Sequence, residues 1–149
     1  MDSLEAPCSR WSQALLSVLR IMTGFLFAEH GAQKLFGFLA PPNAHLPLLF
    51  SFMGLAGILE FFGGLAVLLG LFTRPAAFVL SGQMAVAYFM VHAPAGFWPL
   101  RNKGELAVLY CFIFLYLAAA GGGPWSLGRL LGRDRKSRKA EQVRRFGLS

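Results

Sequence analysis

Four ionisable side chains, Arg20, Glu29, Lys34 and Glu60, sit inside or at the edge of long apolar runs. A charge held within a membrane span is costly unless it faces a partner or a polar cavity, so each is a candidate for function. Glu105, Gln83 and His30 join them. Glu60 and Glu105 are the candidates to move protons, because a carboxyl's proton affinity answers to desolvation and to nearby cations. Arg20, Lys34, Gln83 and His30 are the candidate ligand contacts, able to donate hydrogen bonds to a polar headgroup. Ion pairing that only fixes helix register is the structural alternative for Arg20 with Glu60 and for Lys34 with Glu105.

Those residues need elements to hold them. Four apolar segments approach the roughly 20 residues that a bilayer core requires: 12–38, 48–72, 75–92 and 104–120. Their connections are short and marked by Pro and Gly, which makes neighbours antiparallel. The expected fold is therefore all-α, an integral-membrane up-down four-helix bundle over 1–125 with a short basic tail over 126–149. The first run is broken by Arg20 and continues to Phe38, too long for a signal core, and reads as a retained helix. Glycines supply the close approach that helices in lipid require. At about 100° per residue, Arg20, Gly24, Phe27, Gly31 and Lys34 fall within an arc of about 80°. Gly57, Glu60 and Gly64 share an arc of about 60° by the same spacing. Glu29 falls opposite Arg20 and reads as interfacial.

Depth counted at about 1.5 Å per residue turns these faces into expected pairs. Arg20, Glu60 and Gln83 form an inner layer, and Lys34 and Glu105 an outer one. Two cations and two carboxylates then balance.

Composition agrees with the membrane class. Hydrophobic residues are 56% of the 149-residue chain and charged residues 14%, where a soluble domain carries about 25% charged. The net charge of +7 is concentrated at the end: Arg129, Arg133, Arg135, Lys136, Arg138, Lys139, Arg144 and Arg145. A juxtamembrane cluster of that kind orients a chain and attracts anionic lipid; it has no soluble domain to present it to nucleic acid. The positive-inside rule places both termini in the cytoplasm. Cys8 and Cys111 form no C-x-x-C, so neither a disulfide framework nor a self-contained dithiol enzyme is expected. His30 and His92 lie near span ends, but nothing fixes their pairing and no C-x-x-C-H occurs, which disfavours haem. No clustered Cys/His spacing suggests zinc.

The chain resembles the DoxX family of small four-helix membrane proteins over roughly residues 17–127. The resemblance is carried by Arg20 with Gly24, His30-Gly-Ala-Gln-Lys-Leu-Phe36, Gly54, Glu60-Phe-Phe-Gly-Gly64 and Leu69-Gly-Leu-Phe-Thr-Arg74. Met84, Ala87, Asn102-Lys-Gly-Glu105 and Gly121-Gly-Gly-Pro-Trp-Ser-Leu127 continue it. Where the family follows Ser-Leu with Asp, this chain has Gly128. The resemblance implies a bacterial or archaeal inner-membrane protein. It also implies relatives linked to thiosulfate:quinone oxidoreduction and to thiol or oxidative-stress oxidoreductase complexes.

These readings converge on a membrane subunit of an oxidoreductase complex with a quinone-type site in the bundle. Lys34, Arg20 and Gln83 would bind the headgroup, and Phe27, Phe61 and Tyr116 would line its slot. No covalently held cofactor is expected, and a soluble or membrane oxidoreductase partner would bring the electron carrier. Two other classes use the same residues: an anchor that recruits a soluble partner through the basic tail, or a small transporter. The transporter would need homo-oligomers to form a two-sided pathway.

Overall fold

Every element in the computed structural model is helical. It describes residues 5–41 and 45–132, and no strand occurs among them. The basic residues from Arg133 onward lie outside the described residues. Arg129 sits in a helical stretch over 127–132.

Helix α1 spans Glu5–Phe36, with Lys34 in its last turn, where a cation suits the negative end of the helix dipole. It stops at Gly37, whose φ of 69° is left-handed, a conformation glycine adopts without steric cost. Helix α2 spans Phe52–Leu69. Ser51 caps its start by accepting a hydrogen bond from the Gly54 amide at 3.1 Å, satisfying one of the donors a helix leaves free. The expected start at residue 48 is thus too early: Leu48–Ser51 is a turn closed by the Ser51 amide on the Leu48 carbonyl at 2.9 Å. Gly70, with φ 72°, ends α2.

Helix α3 begins at Thr73 and runs as α-helix to Ala87, then as a π turn over Tyr88–His92 and a 3-10 turn over Ala93–Ala95. A second π turn, Leu59–Gly63, lies inside α2. After a helical turn over Pro99–Asn102, helix α4 spans Glu105–Ala120 and ends at Gly121.

The helices pair lengthwise, α1 with α2 and α3 with α4. Phe27 joins the two pairs, packing edge-on to Phe114 with centroids 4.7 Å apart. Around it lie Leu16, Val67, Leu80, Met84 and Leu117. Outside, large apolar side chains face outward along every helix, among them Leu15, Phe25, Phe62, Phe78 and Phe112. In water that surface would be untenable; against lipid it is the favourable one. Three helices are long and apolar enough to cross a membrane, Trp11–Phe36, Phe52–Leu69 and Thr73–Ala95. Glu105–Ala120 is apolar but has 16 residues, about 24 Å at the α-helical rise.

Candidate functional site

Backbone contact between α1 and α2 builds the site. A Cβ on Gly64 would fall 2.7 Å from the Ala28 amide nitrogen, and one on Gly31 would fall 2.6 Å from the Phe61 Cα. Only hydrogen fits at either place. This seam is the glycine face expected from the spacing of residues 24, 31, 57 and 64. Its register brings the end of α1 alongside the middle of α2.

There the Lys34 ammonium meets the Glu60 carboxylate, Nζ to Oε1 at 2.5 Å. Glu60 is 3% exposed. From α3, Gln83 donates its amide to Glu60 Oε1 at 3.3 Å and to the Ala56 carbonyl at 3.1 Å. Glu60 belongs to the π turn of α2, and such turns interrupt the α-helical hydrogen-bond ladder and gather at functional sites. Because both partners of the Gln83 nitrogen are acceptors, the amide orientation is fixed and its oxygen points elsewhere. That oxygen, Gln83 Oε1, and the second carboxylate oxygen, Glu60 Oε2, are buried without a hydrogen-bond partner.

A cavity of about 550 Å³ lies over this cluster. Phe27, His30, Lys34, Glu60, Gln83 and Tyr110 are among the groups lining it, with His92 near the end of α3 and Lys103 in the α3–α4 connection. Leu55, Leu59, Val79, Val86 and Leu106 also line it, and all five are 42–58% exposed. The mouth therefore lies on the apolar flank of the protein. The α3–α4 connection is held by Asn102, which donates to the Gly96 carbonyl at 2.7 Å and accepts from the Gly104 amide at 2.8 Å. Tyr88, in the π turn of α3, donates to the Phe97 carbonyl. His92 Nδ1 lies 3.1 Å from the Asn102 carbonyl.

Two expected pairings are corrected. Arg20 does not meet Glu60. Its guanidinium, 1% exposed, donates to the carbonyls of Val67 at 2.6 Å and Leu68 at 2.5 Å in the last turn of α2. It also donates to Gly122 and Trp125, both at 2.8 Å, beyond α4. A helix leaves its final carbonyls without intrahelical partners and its C-terminus negative, so a buried arginine finds compensation there without any carboxylate. Arg20 is absent from the cavity lining.

Lys34 does not meet Glu105 either. Glu105 is exposed in the first turn of α4, where the dipole favours an acid, and Lys34 is taken by Glu60. Of the expected aromatic slot, Phe27 lines the cavity, whereas Phe61 and Tyr116 do not. Phe61 packs edge-on to Phe36 at 5.3 Å, and Tyr116 is 56% exposed. Glu29 is half-buried and outside the lining. Tyr110, which the expected site does not include, follows Ala107 by three and precedes Phe114 by four, a spacing that marks one helical face. Among the described residues no three His, Cys, Asp or Glu side chains gather to hold a metal ion.

Comparison with known proteins adds family likeness. The family model described as DoxX matches residues 15–93, more than half of the chain. An uncharacterized protein of Haemophilus influenzae is 38% identical over 135 residues, covering 85% of this chain and 95% of that one. The inner membrane protein YqjF of Escherichia coli is 32% identical, with 78% and 91% covered. An uncharacterized membrane protein of Mycobacterium tuberculosis is 29% identical, with 77% and 80% covered. No solved structure matches.

Proposed function

The chain belongs to the DoxX family of membrane proteins, and on that premise we propose that it is an inner-membrane subunit that holds a quinone-type headgroup for an oxidoreductase complex. In this reading α4 crosses with the other three helices, closing an up-down bundle over 1–125. Both termini lie in the cytoplasm, where the basic tail of 126–149 meets anionic lipid.

One observation carries the reading: a cavity roomy enough for a ring, with a hydrogen-bonded cluster of Lys34, Gln83 and the buried Glu60 as its polar floor. Ligand sites are largely apolar clefts with a few convergent polar groups, and this one has both components. Lys34 has ammonium hydrogens beyond the one given to Glu60, and they serve a carbonyl oxygen of the ring. Phe27 and Tyr110, with centroids 5.1 Å apart, supply an aromatic wall. The Glu60 carboxylate is the group placed to take or return a proton at the ring oxygen. Arg20 acts in the scaffold and Glu105 at the surface. The ring itself supplies two-electron chemistry, and a partner protein supplies the electron carrier.

The test is binding of a short-chain ubiquinone analogue to the full chain in lipid nanodiscs. Saturable binding is expected, weakened roughly tenfold or more by Ala87→Phe, which adds a ring to the cavity wall without touching a polar group. Full-strength binding in that variant would remove the cavity from the mechanism.

A further inference from the structure

We infer that the ring this cavity takes is acidic, with an ionised hydroxyl beside its carbonyls, and that Lys103 is the cation that pairs with it. This rests on the proposed quinone-type site and names the class of ring selected there.

The charges around the cavity do not balance. Its lining holds two cations, Lys34 and Lys103, and one carboxylate, Glu60. Glu60 is taken by Lys34. Its other oxygen is enclosed, like the Gln83 amide oxygen, and has almost no surface to offer a ligand. Lys103 is exposed and has no carboxylate, because among the described residues the Lys34–Glu60 pair is the only salt bridge. Its neighbours Arg101 and Glu105 are exposed, cancel in sign and stay outside the lining.

The other polar groups there mostly donate. Lys34 keeps ammonium hydrogens beyond the one given to Glu60, and Tyr110 and His30 bring a hydroxyl and an imidazole. His92 is the exception: its Nδ1 faces the Asn102 carbonyl, so that nitrogen carries the hydrogen and Nε2 accepts in the neutral ring. Lys103 also stands where the backbone favours glycine, at a left-handed φ of 59°. Strained positions gather at ligand sites, and this one carries the unneutralised charge of the lining. An anion in an apolar cleft is costly unless a cation meets it. An ionised hydroxyl supplies the charge that Lys103 lacks, while the ring carbonyls take hydrogens from Lys34. A neutral ring gains nothing from Lys103.

The experiment uses wild-type protein in phosphatidylcholine nanodiscs and two naphthoquinones bearing the same short alkyl chain. One carries a 2-hydroxyl, ionised at neutral pH; the other has a methyl group of nearly equal size in its place. The hydroxyl form is expected to bind roughly fivefold more tightly at low salt. That margin should shrink at about 1 M salt, which screens an exposed cation. Lys103→Gly should melt no lower than wild type, since glycine suits the backbone there, and should bring the margin below about twofold. Arg101→Gln, which removes a nearby cation outside the lining, should leave the margin intact. Wild-type protein that binds both rings alike, or prefers the methyl form, overturns the inference and leaves the quinone-type site standing. A margin that survives Lys103→Gly, or that Arg101→Gln removes equally, overturns it too. If neither ring binds, the site reading itself falls.

Discussion

Two charges on one face of α1, Arg20 buried and Lys34 half-buried, are handled in opposite ways. Toward the α2 C-terminus Arg20 spends its hydrogens on the carbonyls of Val67, Leu68, Gly122 and Trp125. In the last turn of α1 Lys34 meets a carboxylate that keeps one oxygen unmatched, beside an amide oxygen in the same condition. The first arrangement is closed: charge and helix terminus compensate each other, and nothing is left to offer a ligand. The second borders a cavity that Lys34, Glu60 and Gln83 help to line. A buried charge in a membrane is thus not by itself a site. What separates scaffold from site is whether hydrogen-bonding capacity is left over.

The largest expected effect breaks the closed end. Arg20→Met strands carbonyls from two segments, at roughly 1–3 kcal/mol for each acceptor left unmatched. The variant should fail to assemble, or should lose thermal stability by more than any other single change considered. A melting temperature in detergent equal to wild type would erase the distinction between the two ends.

Next comes the open end. Lys34→Met alone leaves the buried Glu60 carboxylate without its cation and should cost roughly 1–3 kcal/mol, less than a fully buried pair would because the lysine end is partly exposed. Adding Glu60→Gln should restore most of that stability, because no charge then remains, yet it should not restore ligand affinity. A double variant no more stable than the single one would show that the two residues are not coupled. Smallest of all is Glu105→Gln, at an exposed helix start: melting and ligand affinity should both stay at wild-type values. A clear loss of affinity would return Glu105 to the site.

The glycine seam was legible in the sequence because its period is the helix's own: residues 24 and 31 share a face with Arg20 and Lys34 wherever the helix ends fall. Which cation meets Glu60 was not legible. Counting depth from a start at residue 48 sets Glu60 about four residues deeper than the observed start at Phe52 does, and so shifts it toward Arg20. Hydropathy marks where apolar residues begin; Ser51, a polar cap three residues further on, marks where the helix begins. Backbone carbonyls are also invisible to any tally of opposite charges, so Arg20 looked in need of a carboxylate. The π turns at Leu59–Gly63 and Tyr88–His92 have no signature in a 3.6-residue period. Tyr110 is readable from face spacing, whereas the Asn102 clasp emerges only from the fold.

The exposed Leu55, Val79, Val86 and Leu106 around the mouth change what an affinity means for this protein. A molecule that arrives sideways from the acyl chains is already dissolved in lipid, so occupancy follows its mole fraction there and not its molarity in the surrounding buffer. Diluting loaded nanodiscs or vesicles into more buffer should leave a strongly partitioning ligand bound, whereas adding empty lipid should drain it.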